Sequence, residues 1–233
     1  MDVIEMLTEF NLTRQEAAIY LTLMSDGELT GYEVAKLTGI SRSNAYTSLA
    51  ALVEKGAAFT IEDTATRYTP VPVAEFCDNK IGMMQKAKNE LITCMPQRKE
   101  EAEGYITIKG QAHIVNKMRN MILRARERVY LSASNETLEN ILTEIRTGIE
   151  RGLKIVLITD KPLELDGATV YTVEKQQYPI RLIADSANVL TGGINGADST
   201  CLYSRKKNLV DLLKDSLKNE IRLVEMIKGR DER

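Results

Sequence analysis

The stretch from Ser41 to Gly56 constrains the fold of this chain most, because it combines a helix start, a helix end and two different faces. A serine is a favourable N-cap, since its hydroxyl can accept an amide proton of the first turn, and a glycine readily adopts the positive φ that ends a helix. Apolar residues recur between them at helical spacing, at Ala45, Leu49, Leu52 and Val53. The sequence therefore predicts a helix that packs on a core with this face.

The opposite face of this helix is polar and carries few long side chains, so it could lie close against another surface. Its residues are Arg42, Ser43, Tyr46, Thr47 and Ala50. The major groove of DNA is wide enough to admit one helix. An ordinary amphipathic surface helix would show the same pattern, and the flanking sequence has to decide between the two interpretations.

Upstream of Ser41, the sequence predicts three short helices. The first runs from Val3 to Phe10, and two capping boxes, Thr13–Glu16 and Thr30–Glu33, begin the others. The residues expected to face the core are Ala17, Tyr20, Leu21 and Met24 in the second helix and Val34 and Leu37 in the third. Thr38-Gly39-Ile40 then forms a tight turn, and a short helix, a turn with glycine and another helix are typical of a helix-turn-helix.

Downstream of Gly56, two segments of strand composition surround a polar loop. Residues 57–61 and 67–71 are the strands, and residues 62–66 connect them. This arrangement predicts a hairpin, the wing of a winged helix-turn-helix. Arg67 lies at its base and could reach a phosphate or the minor groove, although a plain surface arginine would look the same.

The order of these elements resembles the TrmB-type transcriptional regulators over about the first 75 residues. The resemblance is carried by Leu12-Thr13, Glu16-Ala17, Tyr20-Leu21, Ala35-Lys36, Gly39-Ile40-Ser41-Arg42-Ser43, Tyr46, Leu49, Leu52, Lys55-Gly56 and Tyr68-Thr69-Pro70-Val71-Pro72. It implies a homodimer that binds specific sequences of double-stranded DNA, as a repressor or an activator, with an affinity that responds to a small molecule. The predicted DNA-binding residues are Ser41, Arg42, Ser43, Asn44, Tyr46, Thr47 and Arg67.

The charge distribution argues against DNA binding. Residues 1–80 hold six lysine and arginine residues against twelve aspartate and glutamate residues, whereas residues 81–130 hold ten against five. An acidic domain can still bind DNA through local basic contacts, with modest non-specific affinity. A winged helix that pairs with protein instead of DNA therefore stays an alternative.

Residues 73–95 predict a helix with one apolar seam. Cys77, Ile81, Met84, Leu91 and Met95 follow one another at heptad spacing, with Lys88 in the remaining seam position. The helix should end or kink at Pro96. We expect Ile81, Met84, Leu91 and Met95 to pair two subunits, and the alternative is a helix that lies on its own domain.

From Tyr105 onward, strands and helices alternate, which indicates an α/β sheet. One helix is expected from Gly110 to about Arg126 and one through Ile141, Ile145 and Ile149. The predicted fold class is multidomain, α+β and α/β. Its domains are a winged helix-turn-helix at 1–72, a dimerising linker helix at 73–102 and a regulatory α/β domain at 103–233.

The stretch from Ile180 to Gly193 resembles the phospholipase-D-like domain found after the winged helix in many of these regulators. Active phospholipases D carry a His-x-Lys-x-x-x-x-Asp motif there, in which the histidine attacks phosphorus and the lysine holds phosphate. Counting back from Asp185 puts Ile180 at the lysine position and Tyr178 at the histidine position. A phenol is a poor nucleophile at neutral pH, so we expect no catalysis, and a degenerate phosphodiesterase is the less favoured alternative.

Other cofactor chemistry finds no motif in the sequence. The single histidine, His113, lies on a predicted helix, and three scattered cysteines give no common zinc spacing. There is no phosphate-binding GxxxxGK[ST] loop. The expectation is no metal and no cofactor.

A small-molecule effector is expected at the strand ends of the second half, where α/β sheets usually place ligands. The candidate residues are Ser134, Asn135, Asp160 and Asp185, and the loop after Gly192-Gly193 should lie nearby. For Asp185-Ser186, a cap on a turn between two strands is the favoured interpretation.

The sequence also predicts where the protein acts. No apolar run approaches the roughly 20 residues that cross a bilayer, and Met1 to Glu5 lacks the basic start of a signal peptide. The cysteines fit reduced thiols. We therefore expect a cytoplasmic protein without a membrane partner.

Overall fold

The computed structural model describes residues 2–62, 65–96, 104–173 and 179–231. The chain divides into two units, Met1–Gln97 and Arg98–Arg233. The first unit contains α1 (Val3–Glu9), α2 (Arg14–Asp26), β1 (Leu29–Thr30), α3 (Gly31–Thr38), α4 (Arg42–Glu54), β2 (Ala58–Ile61), β3 (Arg67–Pro70) and α5 (Val73–Cys94). Its three strands form an antiparallel sheet in the order β1-β3-β2. This is the predicted winged helix-turn-helix, followed by the predicted helix.

The core of the first unit joins α2 to the beginning of α5. The Tyr20 hydroxyl donates a hydrogen bond to the Val71 carbonyl over 2.7 Å. The Tyr20 ring packs on Phe76, with ring centroids 5.9 Å apart, and both side chains are fully buried. Burying an aromatic side chain of this size contributes roughly 1.5–3 kcal/mol, so the first turn of α5 is anchored in this core.

A second tie joins α2 to the end of α4. Glu16 Oε2 accepts the Thr13 amide proton over 2.7 Å and a proton of Lys55 Nζ over 2.6 Å. Burial alone would raise the pKa of Glu16, but the hydrogen bonds from Lys55 and Thr13 outweigh it and lower that pKa. The capping box predicted at Thr13 thus also holds the C-terminal end of α4.

Two residues expected in this core are exposed instead. Met24 is 44% and Leu37 is 55% exposed. The reason is a rotation of the inward face: α2 buries Ala17, Ile19, Tyr20 and Leu23, so Met24 falls beyond the edge of that stripe. In α3 the buried positions are Gly31, Val34 and Ala35, and Leu37 points to one side of them.

The seam predicted on α5 is exposed along most of its length. Ile81, Met84, Leu91 and Met95 are between 56% and 68% exposed in this single chain. Cys77 differs, because it is half-buried against the core of its own unit. Cys77 therefore does not share the exposure of the seam to which the sequence analysis assigned it.

The second unit contains one mixed sheet, four α-helices and one 3₁₀ turn within its described residues. The elements are β4 (Tyr105–Lys109), α6 (Gln111–Arg124), β5 (Arg128–Ser132), α7 (Asn135–Glu139), α8 (Leu142–Glu150), β6 (Lys154–Thr159), β7 (Ala168–Thr172), β8 (Ile180–Ala184), β9 (Asn188–Gly193), a 3₁₀ turn (Gly196–Asp198), β10 (Thr200–Ser204) and α9 (Lys207–Asp231). The strand order is β4-β10-β9-β8-β5-β6-β7. Only β5, β6 and β7 run parallel to one another.

Helices cover both faces of this sheet, because successive strand residues point to opposite faces. In β8, Leu182 packs into the core with α6 and α8, whereas Ile183 packs into the core with α9. The α9 residues in that second core are Val210, Leu213 and Leu217. The α/β architecture of this unit confirms the predicted fold class.

One local expectation in this unit was wrong. The helix predicted through Ile141 breaks there into α7 and α8, and Ile141 has φ −132° and ψ 13°, outside the helical range. Gly192 and Gly193 end β9, and the loop expected after them follows. A Cβ atom at Gly192 would come within 2.2 Å of the Thr200 carbonyl oxygen of the paired strand, so glycine there reflects close strand approach. None of the described helices combines the length and hydrophobicity needed to cross a membrane.

Candidate DNA-binding surface

The start of α4 is fixed by hydrogen bonds within the turn before it. Gly39 adopts φ 71° and closes α3. The Thr38 hydroxyl donates to the Val34 carbonyl over 2.7 Å and accepts the Ile40 amide proton over 3.3 Å. The Ser41 hydroxyl then accepts the Asn44 amide proton over 3.3 Å, as predicted for an N-cap. The turn therefore sets where the exposed first turn of α4 points.

One face of α4 is buried against α2. Ala45, Leu49 and Leu52 are fully buried, as the spacing predicted. Ser48 shares this face and is 6% exposed, and its hydroxyl donates to Gln15 Oε1 over 3.4 Å. With this side committed to the core, the opposite face is left available to another molecule.

The predicted α4 residues all lie on that exposed side. They are Ser41, Arg42, Ser43, Asn44, Tyr46 and Thr47. Thr47 turns its hydroxyl back to donate to the Ser43 carbonyl over 3.0 Å. We call these six residues the α4 surface, and their role in binding DNA stays a prediction.

Two residues of α3, Gly31 and Tyr32, lie against side chains of the α4 surface. The Arg42 guanidinium lies over the Tyr32 ring, 4.5 Å from its centroid, and Tyr32 is 50% exposed. A cation over an aromatic ring is attracted by the electron density of the ring face. The Tyr46 ring occupies the space beside Gly31, where a Cβ atom would come within 2.4 Å of it. Sequence analysis missed Tyr32 and Gly31, because their partners lie on another helix.

Arg67 is less free than the residues of the α4 surface. Its guanidinium donates to the Glu28 carbonyl over 3.3 Å, just before β1. Its charge also contributes to lowering the pKa of Glu33, after the larger effect of the hydrogen bonds from Thr30. Arg67 thus supports the base of the wing, and a contact with DNA stays a prediction.

Three of the predicted effector residues lie together at the ends of β5 and β6. Asp160 Oδ1 accepts the Asn135 amide proton over 2.6 Å, and mainly this bond lowers the pKa of Asp160. The Ser134 hydroxyl caps α7 by accepting the Thr137 amide proton over 3.3 Å. Each of these groups already serves the local backbone.

Asp185 lies at the opposite edge of the sheet from these three residues, and its part in effector binding stays a prediction. β8 runs antiparallel to β5, so Asp185 follows β8 at the edge where β5 begins, opposite Ser134. Its carboxylate accepts amide protons from Arg126, Glu127 and Arg128 over 2.9–3.0 Å. Asp185 and Ser186 both have positive φ, near 54°, which confirms the predicted turn between β8 and β9.

Two of the three residues considered for catalysis lie within the described part of the chain. Ile180 is 1% exposed inside β8, and His113 lies exposed on α6. Tyr178 lies outside the described residues. No group of three or more His, Cys, Asp or Glu side chains that could hold a metal ion occurs in the described part of the chain. Near these residues, Arg181 of β8 forms an ion pair with Glu220 of α9.

Comparison with known proteins places both units in one family. The family profile described as "Sugar-specific transcriptional regulator TrmB" matches residues 7–74. The profile described as "Transcriptional regulator TrmB, EBD N-terminal subdomain" matches residues 104–221.

Individual relatives are more distant. The uncharacterized protein YrhO of Bacillus subtilis (strain 168) is 26% identical over 243 residues, covering 99% of this chain and 88% of the relative. TrmBL2 of Thermococcus kodakarensis, described as a DNA-binding HTH-type transcriptional repressor, is 26% identical over 194 residues, covering 75% of this chain and 74% of the relative.

Solved structures give weaker likenesses. A structure of TrmBL2, described as an archaeal chromatin protein with a novel mode of DNA binding, covers 94% of this chain and 97% of that chain at 21% identity and a TM-score of 0.47. NucT from Helicobacter pylori covers 51% of this chain and 97% of that chain at 15% identity and a TM-score of 0.43. The two family profiles decide the matter, since the second alone spans half of the sequence: the chain belongs to the TrmB family of transcriptional regulators.

Proposed function

We propose that this protein regulates transcription by binding specific sequences of duplex DNA as a homodimer, with the α4 surface in the major groove. The observation that carries the proposal is the α4 surface itself, a capped, exposed helix start with short side chains around Arg42 and Tyr46. The described DNA binding of the relative TrmBL2 supports the same interpretation. The proposed place of action is the cytoplasm.

The acidity of the first unit does not extend to the proposed contact surface. From Ser41 to Val53 the only charged residue is Arg42. Affinity for DNA depends on the basic groups at the docking face. The acidic remainder of the unit should lower non-specific affinity, so a larger share of binding should depend on contacts with bases.

The test is replacement of Arg42 by alanine. The duplex is first selected from a random library with the wild-type protein, and affinity is then measured by fluorescence anisotropy. Arg42→Ala should weaken binding to the selected duplex by about 1–3 kcal/mol if Arg42 contacts a base. The matched control is Arg14→Ala, at the start of α2. The Arg14 side chain is 75% exposed, and its guanidinium lies 3.6 Å from a carboxylate oxygen of Glu5.

An Arg42→Ala protein that binds the selected duplex as well as wild type does would contradict the assignment. If wild type selects no duplex at all, the alternative of a protein-binding winged helix gains support. The acidic composition of residues 1–80 is the observation that favours that alternative.

The proposed dimer uses the exposed seam of α5. A helix-turn-helix protein usually binds two half-sites as a dimer, and α5 carries an apolar seam that its own unit leaves exposed. Ile81→Asp with Leu91→Asp should yield monomers in sedimentation and weaken DNA binding, because charges would be buried in the seam. The control pair Asn79→Asp with Gln85→Glu adds charge outside the seam. A double mutant that remains dimeric would place the interface elsewhere.

We further propose that the second unit senses a small-molecule effector and catalyses nothing. The buried Ile180 at the position of the phosphate-holding lysine supports this. Incubation with bis(4-nitrophenyl) phosphate tests the rival phosphodiesterase, and enzyme-dependent release of nitrophenol would revive it. Ser134, Asn135 and Asp160 remain candidates for effector contacts, although their local hydrogen bonds would have to be kept or replaced.

A further inference from the structure

A polar cleft lies in the second unit at the edge where Asp185 ties β8 to β5. Its volume is about 190 Å³, well below the 300–1,000 Å³ of clefts that hold drug-sized ligands. Residues of α6, β9 and β10 line it, and three of them carry positive charge: Lys117, Arg124 and Arg205. The size suits a small metabolite, and the charge favours an anion.

The two arginines of this cleft are available to a ligand. Within the described part of the chain, the side chains of Arg124 and Arg205 make no hydrogen bond and no ion pair, and both residues are exposed. Arginine presents several N–H donors in a planar fork that matches the oxygens of phosphate or carboxylate. Unpaired guanidinium groups at one cleft therefore point to an oxyanion.

A side-chain amide is oriented toward the same cleft. The Asn188 carbonyl oxygen accepts the hydroxyl proton of the buried Tyr203 over 2.9 Å. This bond occupies the side-chain oxygen of Asn188. The NH₂ group of the same side chain has no partner among the described residues and can donate to a ligand. Lys117 lies over the Tyr203 ring, 3.5 Å from its centroid, so Tyr203 positions two lining side chains at once.

The one acidic residue of the cleft, Asp185, is hydrogen-bonded to the backbone. Both carboxylate oxygens of Asp185 accept amide protons, from Arg126, Glu127 and Arg128. These amide groups partly screen the negative charge of Asp185 and so reduce its repulsion of a bound anion. The cleft then offers donors from several directions, while both carboxylate oxygens of its acidic residue are already bonded to the backbone.

We propose that this cleft binds a small phosphorylated molecule through Arg124, Arg205 and Asn188. A phosphate monoester fits better than a monocarboxylate, because its three terminal oxygens can engage donors on several sides, whereas one carboxylate fills a single fork. The proposal adds a ligand class to the effector role and moves the site to the edge opposite Ser134 and Asp160. Binding by the cleft does not depend on the proposed DNA binding.

The test uses the full-length chain in isothermal titration calorimetry. The probes are glucose 6-phosphate, glucose as the matched neutral compound, inorganic phosphate and citrate. Wild type should bind glucose 6-phosphate, bind inorganic phosphate more weakly and not bind glucose. Arg124→Gln with Arg205→Gln should lose about tenfold or more in affinity, because both guanidinium groups that would donate charge-assisted hydrogen bonds are removed.

Two further variants make the test specific. Arg146→Gln removes one charge from the exposed face of α8, outside the cleft, and should bind as wild type does. Arg124→Lys with Arg205→Lys keeps both positive charges but removes the planar guanidinium groups. Its affinity should lie between that of wild type and that of the double glutamine variant. Both arginines of the cleft are exposed, so folding is checked by circular dichroism as a formality.

Several results would overturn the proposal. Wild type that binds neither phosphate probe, or binds citrate as tightly as glucose 6-phosphate, excludes a phosphate site. Equal phosphate binding by Arg124→Gln/Arg205→Gln excludes this cleft. Loss of DNA affinity in that variant, with no phosphate binding by wild type, would instead make the cleft a contact for the DNA backbone.

Discussion

The α4 surface and the polar residues at the strand ends of the second unit look alike in sequence, as polar side chains at the ends of secondary-structure elements. Their hydrogen bonding differs. Ser43, Asn44 and Tyr46 make no side-chain hydrogen bond with the described part of the chain. Asp160 and Asp185 both accept backbone amide protons. A polar group that its own fold already satisfies has little left to offer a ligand, so the two sets call for different tests.

The largest effect should follow from removing the carboxylate that serves three backbone donors. Asp185→Ala leaves the amides of Arg126, Glu127 and Arg128 without their acceptor and should lower the free energy of unfolding of the second unit by about 3 kcal/mol. Urea-dependent hydrogen exchange of β5 peptides measures this. Asp215→Ala, on the exposed side of α9, is the control. A change within 0.5 kcal/mol or so would make Asp185 a free surface acid.

The same residue predicts an acid sensitivity. Burial would raise the pKa of Asp185, but hydrogen bonds from Arg128, Glu127 and Arg126 outweigh it and lower that pKa below its ordinary value. A lowered folded-state pKa gives stability that is present above the unfolded pKa, near 3.9, and is lost as pH falls through the folded value. Wild type should thus lose stability below about pH 4, and Asp185→Ala should show a flatter profile. Parallel profiles would remove this residue from the explanation.

A smaller loss is expected at the other edge of the sheet. Asp160→Ala removes the acceptor of the Asn135 amide and should lower the free energy of unfolding by about 1–2 kcal/mol. The measurement is the same exchange experiment, read on α7. Asp166→Ala, an exposed residue with no hydrogen bond among those described, is its control. A stable Asp160→Ala protein with an altered effector response would instead support the effector role from the sequence analysis.

The smallest effect should be a loss of DNA affinity at almost unchanged stability. Gly31→Ala places a methyl group where the Tyr46 ring now lies, and that exposed ring can swing away at little cost to the fold. Moving Tyr46 should weaken binding to the selected duplex by roughly three- to tenfold, or about 0.7–1.4 kcal/mol. Gly82→Ala, with open space around the new Cβ on α5, is the control. Unchanged affinity would show that the position of Tyr46 does not matter for binding.

What could be predicted from the sequence was local. Ser41 as an N-cap, the buried stripe of α4 and the capping boxes depend on residues three or four apart, and the structure has them all. The role of Asp185 could not be predicted, because its donors lie 57–59 residues earlier and meet it only through the antiparallel pairing of β8 with β5. Tyr32 was missed for the same reason, since its partner is on the next helix.

The exposure of Met24 and Leu37 shows a second limit. Helical spacing states which residues share a face, but neighbouring elements decide how that face is rotated toward the core. In α2 the core lies over Ile19 and Leu23, so a methionine at the edge of the stripe faces solvent.

The ion pair between Glu16 and Lys55 restricts how α4 can move relative to α2. It joins the first turn of α2 to the residue that ends α4, with 7% of the Glu16 side chain exposed. The Gln15 side chain of α2 also accepts a hydrogen bond from Ser48 in the middle of α4. Side-chain hydrogen bonds therefore join the two helices at two separate points along α4. Tilting α4 alone would break both of these hydrogen bonds, so we expect α4 to move together with the rest of the winged helix. In the proposed dimer, the proposed effector would therefore change DNA affinity through the angle between the two subunits.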